Sequence, residues 1–327
     1  MRSTHLVLEP TLQIVSNRSG MGSSQSIPIQ ITSESVVDIR NGKMTLNALL
    51  QAMLDARGVQ GVTLLMGPID LVESTMRTLC QTIQQNPSLI DSLFIQSSPI
   101  PPSTLLSFSS CITSLTSLDL DNVRMNEKGI TAIGRQLPLA RNLKKISINN
   151  DKETLQQANF TTFIEGIIDS NVTELQLCDN GIPDLEAAEI GRLLAQSKLE
   201  SLSLDGNGLG VWAARAISDY LSQPGARLQT LKLSRNRICA DGVAPLSSMI
   251  VQNMTLKELD LTANPITSAG VERIASSLEV NMTLTVLKLP LAESQSDGEM
   301  SRLRQVLQRN RNLQESSFNE IPAESGV

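Results

Sequence analysis

Polar catalysis needs a nucleophile beside a base, a metal cage or a phosphate cradle, and these 327 residues supply poor material for each. His5 is the only histidine, so a Ser-His or Cys-His pair would require the N-terminal stretch to fold back over the chain. The four cysteines, Cys80, Cys111, Cys178 and Cys239, are widely spread and contain no C-x-x-C pair; they read as reduced side chains in ordinary structural slots. Gly206 to Gly210 spells G-N-G-L-G, but the lysine of a phosphate-binding loop does not follow it. Arg235 and Arg237 are placed to act as a charge-stabilising finger toward a GTPase, although arginines flanking a turn are more often simply solvated. The expectation is no catalytic residue, no metal and no cofactor.

The polar residue that does recur with strict spacing is asparagine. Leu228 to Leu246 reads L-Q-T-L-K-L-S-R-N-R-I-C-A-D-G-V-A-P-L, and Leu256 to Ile274 reads L-K-E-L-D-L-T-A-N-P-I-T-S-A-G-V-E-R-I. Both fit L-x-x-L-x-L-x-x-N-x-I-x-x-x-G-V, a pattern in which each unit is a short strand plus a helix. Units begin at Leu115, Leu143, Val172, Leu199, Leu228, Leu256 and Leu284, in steps of 27 to 29 residues. Their turn slot holds Val123, Asp151, Asn180, Asn207, Asn236, Asn264 and Ala292, so an unbroken asparagine ladder is expected only from Asn180 to Asn264. An asparagine amide both donates and accepts, and so can satisfy the backbone groups that a buried turn leaves orphaned.

The strand leucines Leu259 and Leu261 lie two apart and project to one side, into the core. Ile266 re-enters that core, Gly270 allows close helix approach, and Val271, Ile274 and Leu278 form a helical apolar stripe. No single unit can bury both faces, so neighbours must stack.

Residues 1–26, with a polar run from Ser16 to Ser26, read as a flexible N-terminal arm. Residues 27–58 read as an N-terminal cap: alternating Ile27, Ile29 and Ile31 for a strand, then a helix from Thr45 to Ala56. About nine solenoid units fill residues 59–313, the first two degenerate, with strand slots at Val62 and Leu64, then Ile90, Leu93 and Ile95. The intervening helix is expected from Leu71 to Ile83. An irregular connection is expected at Asp151–Gln157, a final helix at Ser301–Asn310, and a disordered tail at 314–327.

With 40% hydrophobic residues the chain is expected to fold, and 2% aromatic content suits a core of aliphatic slots. A net charge of −6 argues against generic nucleic-acid binding, which needs clustered Lys and Arg. The sequence has neither an 18-residue apolar run nor a signal-peptide pattern in residues 1–30, so no membrane span and a cytoplasmic location are expected. Sequons occur at Asn17, Asn159, Asn171, Asn253 and Asn281. Asn253 and Asn281 occupy the same slot of successive units, so they read as a property of the repeat rather than as glycan acceptors.

The phrases N-M-T-L-K-E-L-D-L-T-A-N-P-I and N-M-T-L-T-V-L-K-L, with the 27–29 step, resemble ribonuclease-inhibitor-type leucine-rich repeats. Such repeats occur in ribonuclease inhibitor, the sensor half of NOD-like receptors, Ran GTPase-activating protein and tropomodulin. The resemblance covers about Val59 to Leu313. It implies an α/β leucine-rich-repeat solenoid, a horseshoe with a parallel inner sheet and outer helices. In such a horseshoe the residues flanking the core leucines face the concave side, the default recognition surface. The candidate partner-binding residues are Phe94, Asp119, Asp121, Lys145, Glu174, Asp205, Lys232, Glu258, Asp260 and Lys288. Acidic side chains outnumber lysines there, so the expected partner is another protein with a basic contact face. The function expected is a non-enzymatic protein–protein interaction scaffold. A Ser-rich start and the end E-S-S-F-N-E-I-P-A-E-S-G-V read as secretion signals of a bacterial effector delivered into host cells. The alternative, from the likeness to Ran GTPase-activating protein, is a GTPase-activating regulator of a small GTPase.

Overall fold

A computed structural model describes residues 36–38, 45–55, 60–67, 71–151, 155, 158–290 and 297–319. Among the described residues ten strands form one sheet in strict chain order, and each pairs in parallel with its sequence neighbours. The first five are β1 (Val36–Asp38), β2 (Val62–Met66), β3 (Ile90–Gln96), β4 (Ser117–Asp121) and β5 (Lys145–Asn149). They continue as β6 (Glu174–Gln176), β7 (Ser201–Ser203), β8 (Thr230–Lys232), β9 (Glu258–Asp260) and β10 (Val286–Lys288). Between and after them run helices α1 (Leu46–Asp55), α2 (Glu73–Gln85), α3 (Leu105–Cys111), α4 (Glu127–Gln136) and α5 (Ala158–Ile168). The later helices are α6 (Ala187–Gln196), α7 (Val211–Leu221), α8 (Ala240–Gln252), α9 (Ser268–Leu278) and α10 (Asp297–Asn319). Strands pack about 4.8 Å apart and helices about 8–10 Å apart, so a stack of such wedges must curve with its sheet inside.

Register converts the repeat into one spine. Leu175, Leu202, Leu231 and Leu259 stand opposite one another across β6 to β9, and all are fully buried. A second row, Leu177, Leu204, Leu233 and Leu261, is equally buried. The helices close the core with Ile190, Ile217, Leu246 and Ile274.

The seven units from β3 to β9 then turn on a left-handed residue: Ser97, Asn122, Asn150, Asp179, Gly206, Arg235 and Ala263 all have φ between +50° and +68°. That conformation aims the residue's N–H along the stack. Asp179 N donates to Asp205 O at 2.8 Å, Gly206 N to Ser234 O at 2.8 Å, and Arg235 N to Thr262 O at 2.9 Å. For residues with a Cβ this geometry costs about 1–2 kcal/mol, and it persists because the surrounding bonds fix it.

Beside it sits the asparagine ladder. Asn207 Oδ1 accepts from Asn180 N and Ile182 N, while its Nδ2 donates to Leu177 O and Leu204 O. Asn236 and Asn264 repeat the arrangement one and two units later, and Asn180 Nδ2 donates to Ile148 O. The ladder reaches one unit further than the asparagine pattern indicates. Asp151 Oδ2 accepts from Met125 N, and Asp151 N donates to Asn180 Oδ1, because a carboxylate supplies the acceptor half of an amide.

A second ladder lies at the opposite end of the strands. Asn253 Oδ1 accepts from Thr255 N and Leu256 N, and its Nδ2 donates to Leu221 O. Asn281 and Asn310 occupy the same place in the next two units. Two of these are the repeated sequons, only 5% and 4% exposed, with their amides fully engaged. In the folded protein neither amide can carry a glycan.

Other details depart from the pattern. The helix expected at Thr45–Ala56 is Leu46–Asp55, and that expected at Leu71–Ile83 is Glu73–Gln85. The alternating Ile27, Ile29 and Ile31 lie outside the described residues, as do the N-terminal arm, most of the connection after Asp151, and residues 320–327. The first described strand is Val36–Asp38. The final helix runs from Asp297 to Asn319, so residues 314–319 are helical where a disordered tail is expected. No glycine or proline interrupts it after Gly298, and Gln314 Nε2 donates to Thr283 O at 2.8 Å, tying its last turns to the stack. At Gly270 a Cβ would meet Ile266 Cγ2 of its own unit at 2.8 Å, so this glycine mainly accommodates the re-entering isoleucine. The close helix crossing is at Gly134 and Gly166 instead.

Candidate protein interface on the inner sheet face

Three rows of side chains project from the sheet on the side away from the helices. The middle row runs Leu65, Phe94, Asp119, Ser147, Gln176, Ser203, Lys232, Asp260 and Lys288, fixed by strand register. One outer row holds Ser117, Lys145, Glu174, Ser201, Thr230 and Glu258. The other holds Gln96, Asp121 and Asn149, with Cys178 and Asp205 following the ends of their shorter strands. All ten candidate residues therefore lie on one surface, although they span eight units.

Their charges are not equally available. Lys145 Nζ lies 2.7 Å from Glu174 Oε1. Burial pushes the Glu174 carboxyl upward, but hydrogen bonds from Lys145 and Gln176 outweigh it and hold the group below the usual range. At the other end Lys288 Nζ bridges Glu258 at 3.1 Å and Asp260 at 3.3 Å. Burial raises the Asp260 carboxyl, but Thr262 donates to it through both amide and hydroxyl, and with Lys288 this holds it low. Asp205 accepts from Ser234 N at 2.7 Å and Ser203 Oγ at 3.3 Å. Asp121 accepts from Gln96 Nε2 at 3.2 Å and from Asn150 Nδ2.

Asp119 is the exception. Its Oδ1 is buried with no hydrogen-bond partner among the described residues. Burial raises its pKa most, against the Ser147 hydroxyl and the Lys145 charge, while Asp121 and Glu174 push it further up. It stands next to Phe94 in register, and Phe94 next to Leu65, all three half-buried. The N-terminal half of the face thus offers an apolar pair beside an under-compensated carboxylate, whereas the C-terminal half is largely neutralised from within.

The sign of that shift has a measurable effect. A carboxyl whose folded pKa is raised holds its proton more tightly when folded, so folding loses stability as pH rises through the unfolded and then the folded pKa. Asp119→Asn removes the buried charge and should raise the melting temperature at neutral pH. The gain should shrink as pH falls and vanish only below the ordinary aspartate pKa of about 3.9, where the carboxyl is protonated in the folded and unfolded chain alike. An unchanged or lower melting temperature at neutral pH would show that the carboxylate is better compensated than this geometry indicates.

The other candidates resolve plainly. Arg235 is bidentate to Asp179, at 2.8 and 2.9 Å, across the intervening unit. A Cβ on Gly206 would lie 2.0 Å from Asp179 Oδ1, so a glycine there lets the bridge pass. All four cysteines are free, and no cluster of three potential metal ligands exists among the described residues. No helix among the described residues is long and apolar enough to cross a membrane. The second asparagine ladder is a feature that residue patterning does not anticipate as a ladder, although the recurrence of N-M-T-L is its visible signal.

A family model described as leucine-rich repeat matches residues 252–275. Ribonuclease inhibitor from Sus scrofa is 27% identical over 147 residues, covering 44% of this chain. The chain spans only about a third (32%) of that relative's length. Among solved structures, the leucine-rich repeat-containing protein LegL7 from Legionella pneumophila superposes with a TM-score of 0.55 at 16% identity. That superposition covers 87% of this chain and 92% of LegL7. An internalin (inlF) from Listeria monocytogenes gives a TM-score of 0.50 at 15% identity, covering 80% of this chain and 68% of the internalin. At these identities the structural likeness establishes the fold.

Proposed function

We propose that this leucine-rich-repeat solenoid of the ribonuclease-inhibitor type is a non-enzymatic scaffold that binds another protein on its inner sheet face. The repeated fold supports the reading, because it presents a long polar surface along one continuous parallel sheet. The observation that carries the reading is the pairing of partly exposed apolar surface at Leu65 and Phe94 with the unsatisfied Asp119 carboxylate. A partner contributing a Lys or Arg beside an apolar side chain would offset the Asp119 charge and cover Leu65 and Phe94. Glu174, Glu258 and Asp260 already have lysines, so Lys145, Glu174, Lys232, Glu258, Asp260 and Lys288 act as a polar surround rather than as the anchor.

Pull-down with mass spectrometry, comparing wild type with two charge-reversed variants, tests this. Asp119→Lys with Asp121→Lys should lower capture of the partner by about tenfold or more, the size of one lost desolvated charge contact. Glu258→Lys with Asp260→Lys should matter far less. Undiminished capture by both variants would remove the inner face from consideration.

Delivery into a host cell as a bacterial effector belongs to the same proposal, on the composition of the Ser-rich Ser16–Ser26 stretch. A translocation reporter fused to residues 1–35 tests it, and retention of the reporter in the producing cell would dismiss it. The GTPase-activating alternative is left with Arg237, which is exposed, as its finger, because Asp179 already holds the Arg235 guanidinium.

A further inference from the structure

The chain spells one more strand start than the sheet uses. Asn253 and Asn281 each open a phrase N-x-x-L whose leucine, Leu256 or Leu284, is buried just before a strand. N-R-N-L from Asn310 to Leu313 is a third copy, and Leu313 follows Leu284 by 29 residues, the step of other units. In that register Ser316 and Phe318 fall in the places of Leu287 and Leu289. The folded chain passes over this phrase. Helices α8 and α9 stop before their asparagine, at Gln252 and Leu278, whereas α10 continues through Asn310 to Asn319. It is 23 residues long, where no other described helix exceeds 13. Asn310, Asn312, Ser316, Ser317 and Asn319 are poor helix formers, so the overrun is the part of α10 least suited to its conformation.

Both sides of the unmade junction are unsatisfied. Leu313 is 45% exposed, where Leu256 and Leu284 in the same slot are 2% and 1% exposed. Among the described residues β10 has no strand on its far side, and Leu287 and Leu289 are only half-buried, although Leu259 and Leu261 before them are fully buried. Leu204 N, Leu233 N and Leu261 N donate to Lys232 O, Asp260 O and Lys288 O of the next strand, at 2.8 to 2.9 Å. Leu289 N is next in that series and has no hydrogen bond among the described residues. Side chains of α10 stand in for the absent backbone. Lys257 O accepts from Thr285 N and Val286 N, but Thr285 O accepts from Arg311 Nε, at 3.1 Å, and Thr283 O from Gln314 Nε2, at 2.8 Å. Asn310 fills half its place: Nδ2 donates to Asn281 O as that of Asn281 does to Asn253 O, but Oδ1 accepts from the Arg309 guanidinium instead of two backbone amides.

We propose that residues 313–318 are the strand of a further unit, which docks in parallel on the open edge of β10 with Ser317 beside Lys288, and that the helical form is the alternative state that leaves this edge bare. On docking, Leu313 and Phe318 enter the core rows, Asn310 Oδ1 takes the amides of Asn312 and Leu313, and Leu289 N gains a carbonyl. Burial of two apolar side chains and a row of sheet hydrogen bonds stand against the last turns of a helix made of poor helix formers, and opposing contributions of similar size are what a two-state element requires. The end of the sheet thus opens and closes with the end of α10, independently of what the inner face binds.

Ser316→Leu in the full chain separates the two states, because it acts on them in opposite directions. Leucine is the better helix former, so a chain that keeps residues 310–319 helical becomes slightly more helical. A chain that docks them gains an apolar side chain in the row of Leu287. It loses the helical circular dichroism of those residues, and NMR hydrogen exchange shows Leu289 N protected at least about tenfold more than in wild type. The second result is expected, and adding Leu313→Asp should reverse both changes. Phe318→Asp in the otherwise natural chain should speed exchange of Leu289 N severalfold, since it removes the docked fraction. A stronger helical signal with unaltered exchange at Leu289 overturns the proposal. Unaltered exchange in Phe318→Asp overturns it for the natural chain, and protection found only in a dimer by light scattering gives the edge to a second copy's strand instead.

Discussion

Replacing Asn207 with alanine is expected to destabilise the solenoid by about 4 kcal/mol, among the largest effects of any single polar change in this chain. The amide serves two backbone N–H groups, of Asn180 and Ile182, at 3.2 and 3.0 Å. It also serves the carbonyls of Leu177, Leu204 and Asp205 at 2.8, 2.9 and 3.3 Å. Alanine leaves the Asn180 and Ile182 N–H groups and the Leu177 carbonyl without this partner, each costing about 1–3 kcal/mol before water enters or the turn relaxes, while Leu204 O keeps Asn236 Nδ2 and Asp205 O keeps Asp179 N. Asn207→Asp should fall between wild type and alanine, since it keeps the acceptor and loses the donor, as Asp151 does earlier in the ladder. Repeat proteins need not unfold in one step, so hydrogen exchange at Asn180 and Ile182 should accompany denaturant titration. A loss under about 1 kcal/mol with unchanged exchange at both amides would mean that the turn is held by its backbone alone.

Gly166→Ala is the second large effect, expected to cost about 3 kcal/mol or more. The added methyl would sit 2.1 Å from Gly134 O, 2.8 Å from Gly134 C and 2.9 Å from Gly134 Cα. All three atoms are backbone, so no side chain can swing aside, and α4 and α5 must move apart while their strands stay hydrogen bonded. Gly191→Ala is the matched control. Its methyl meets only Ala216 Cβ, at 3.5 Å, and alanine favours a helix over glycine by about 0.5–1 kcal/mol, so this variant should be neutral or more stable. Thermal unfolding of the pair separates steric crowding from helix propensity. Equal melting temperatures would mean that the helix crossing is softer than its packing indicates.

How legible each feature is in the residues follows from how it is encoded. Leucines at fixed spacing specify strand register directly, so rows such as Leu231 and Leu259 are evident before any coordinates. The asparagine turn is equally local, and its reach to Asp151 is hidden only because the acceptor half of an amide can be supplied by another residue type. The Gly134–Gly166 contact is different, because it depends on how two helices cross and no period announces it. The same is true of charge on the inner face. Acidic residues are countable, but Lys288 reaching back to Glu258 and Asp260 is a matter of side-chain geometry. Asp119 stands out only once its neighbours are known to be satisfied.

The order of β1 to β10 has a mechanical consequence. Every strand bonds only the strands before and after it in the chain, so the backbone hydrogen bonds of the sheet point along the long axis. A pull on the two ends loads those bonds in series, one interface at a time, instead of shearing many together. Under tension the molecule yields as a string of weak links, releasing one repeat's length of slack per step and surrendering first at the end units, which have a neighbour on one side only.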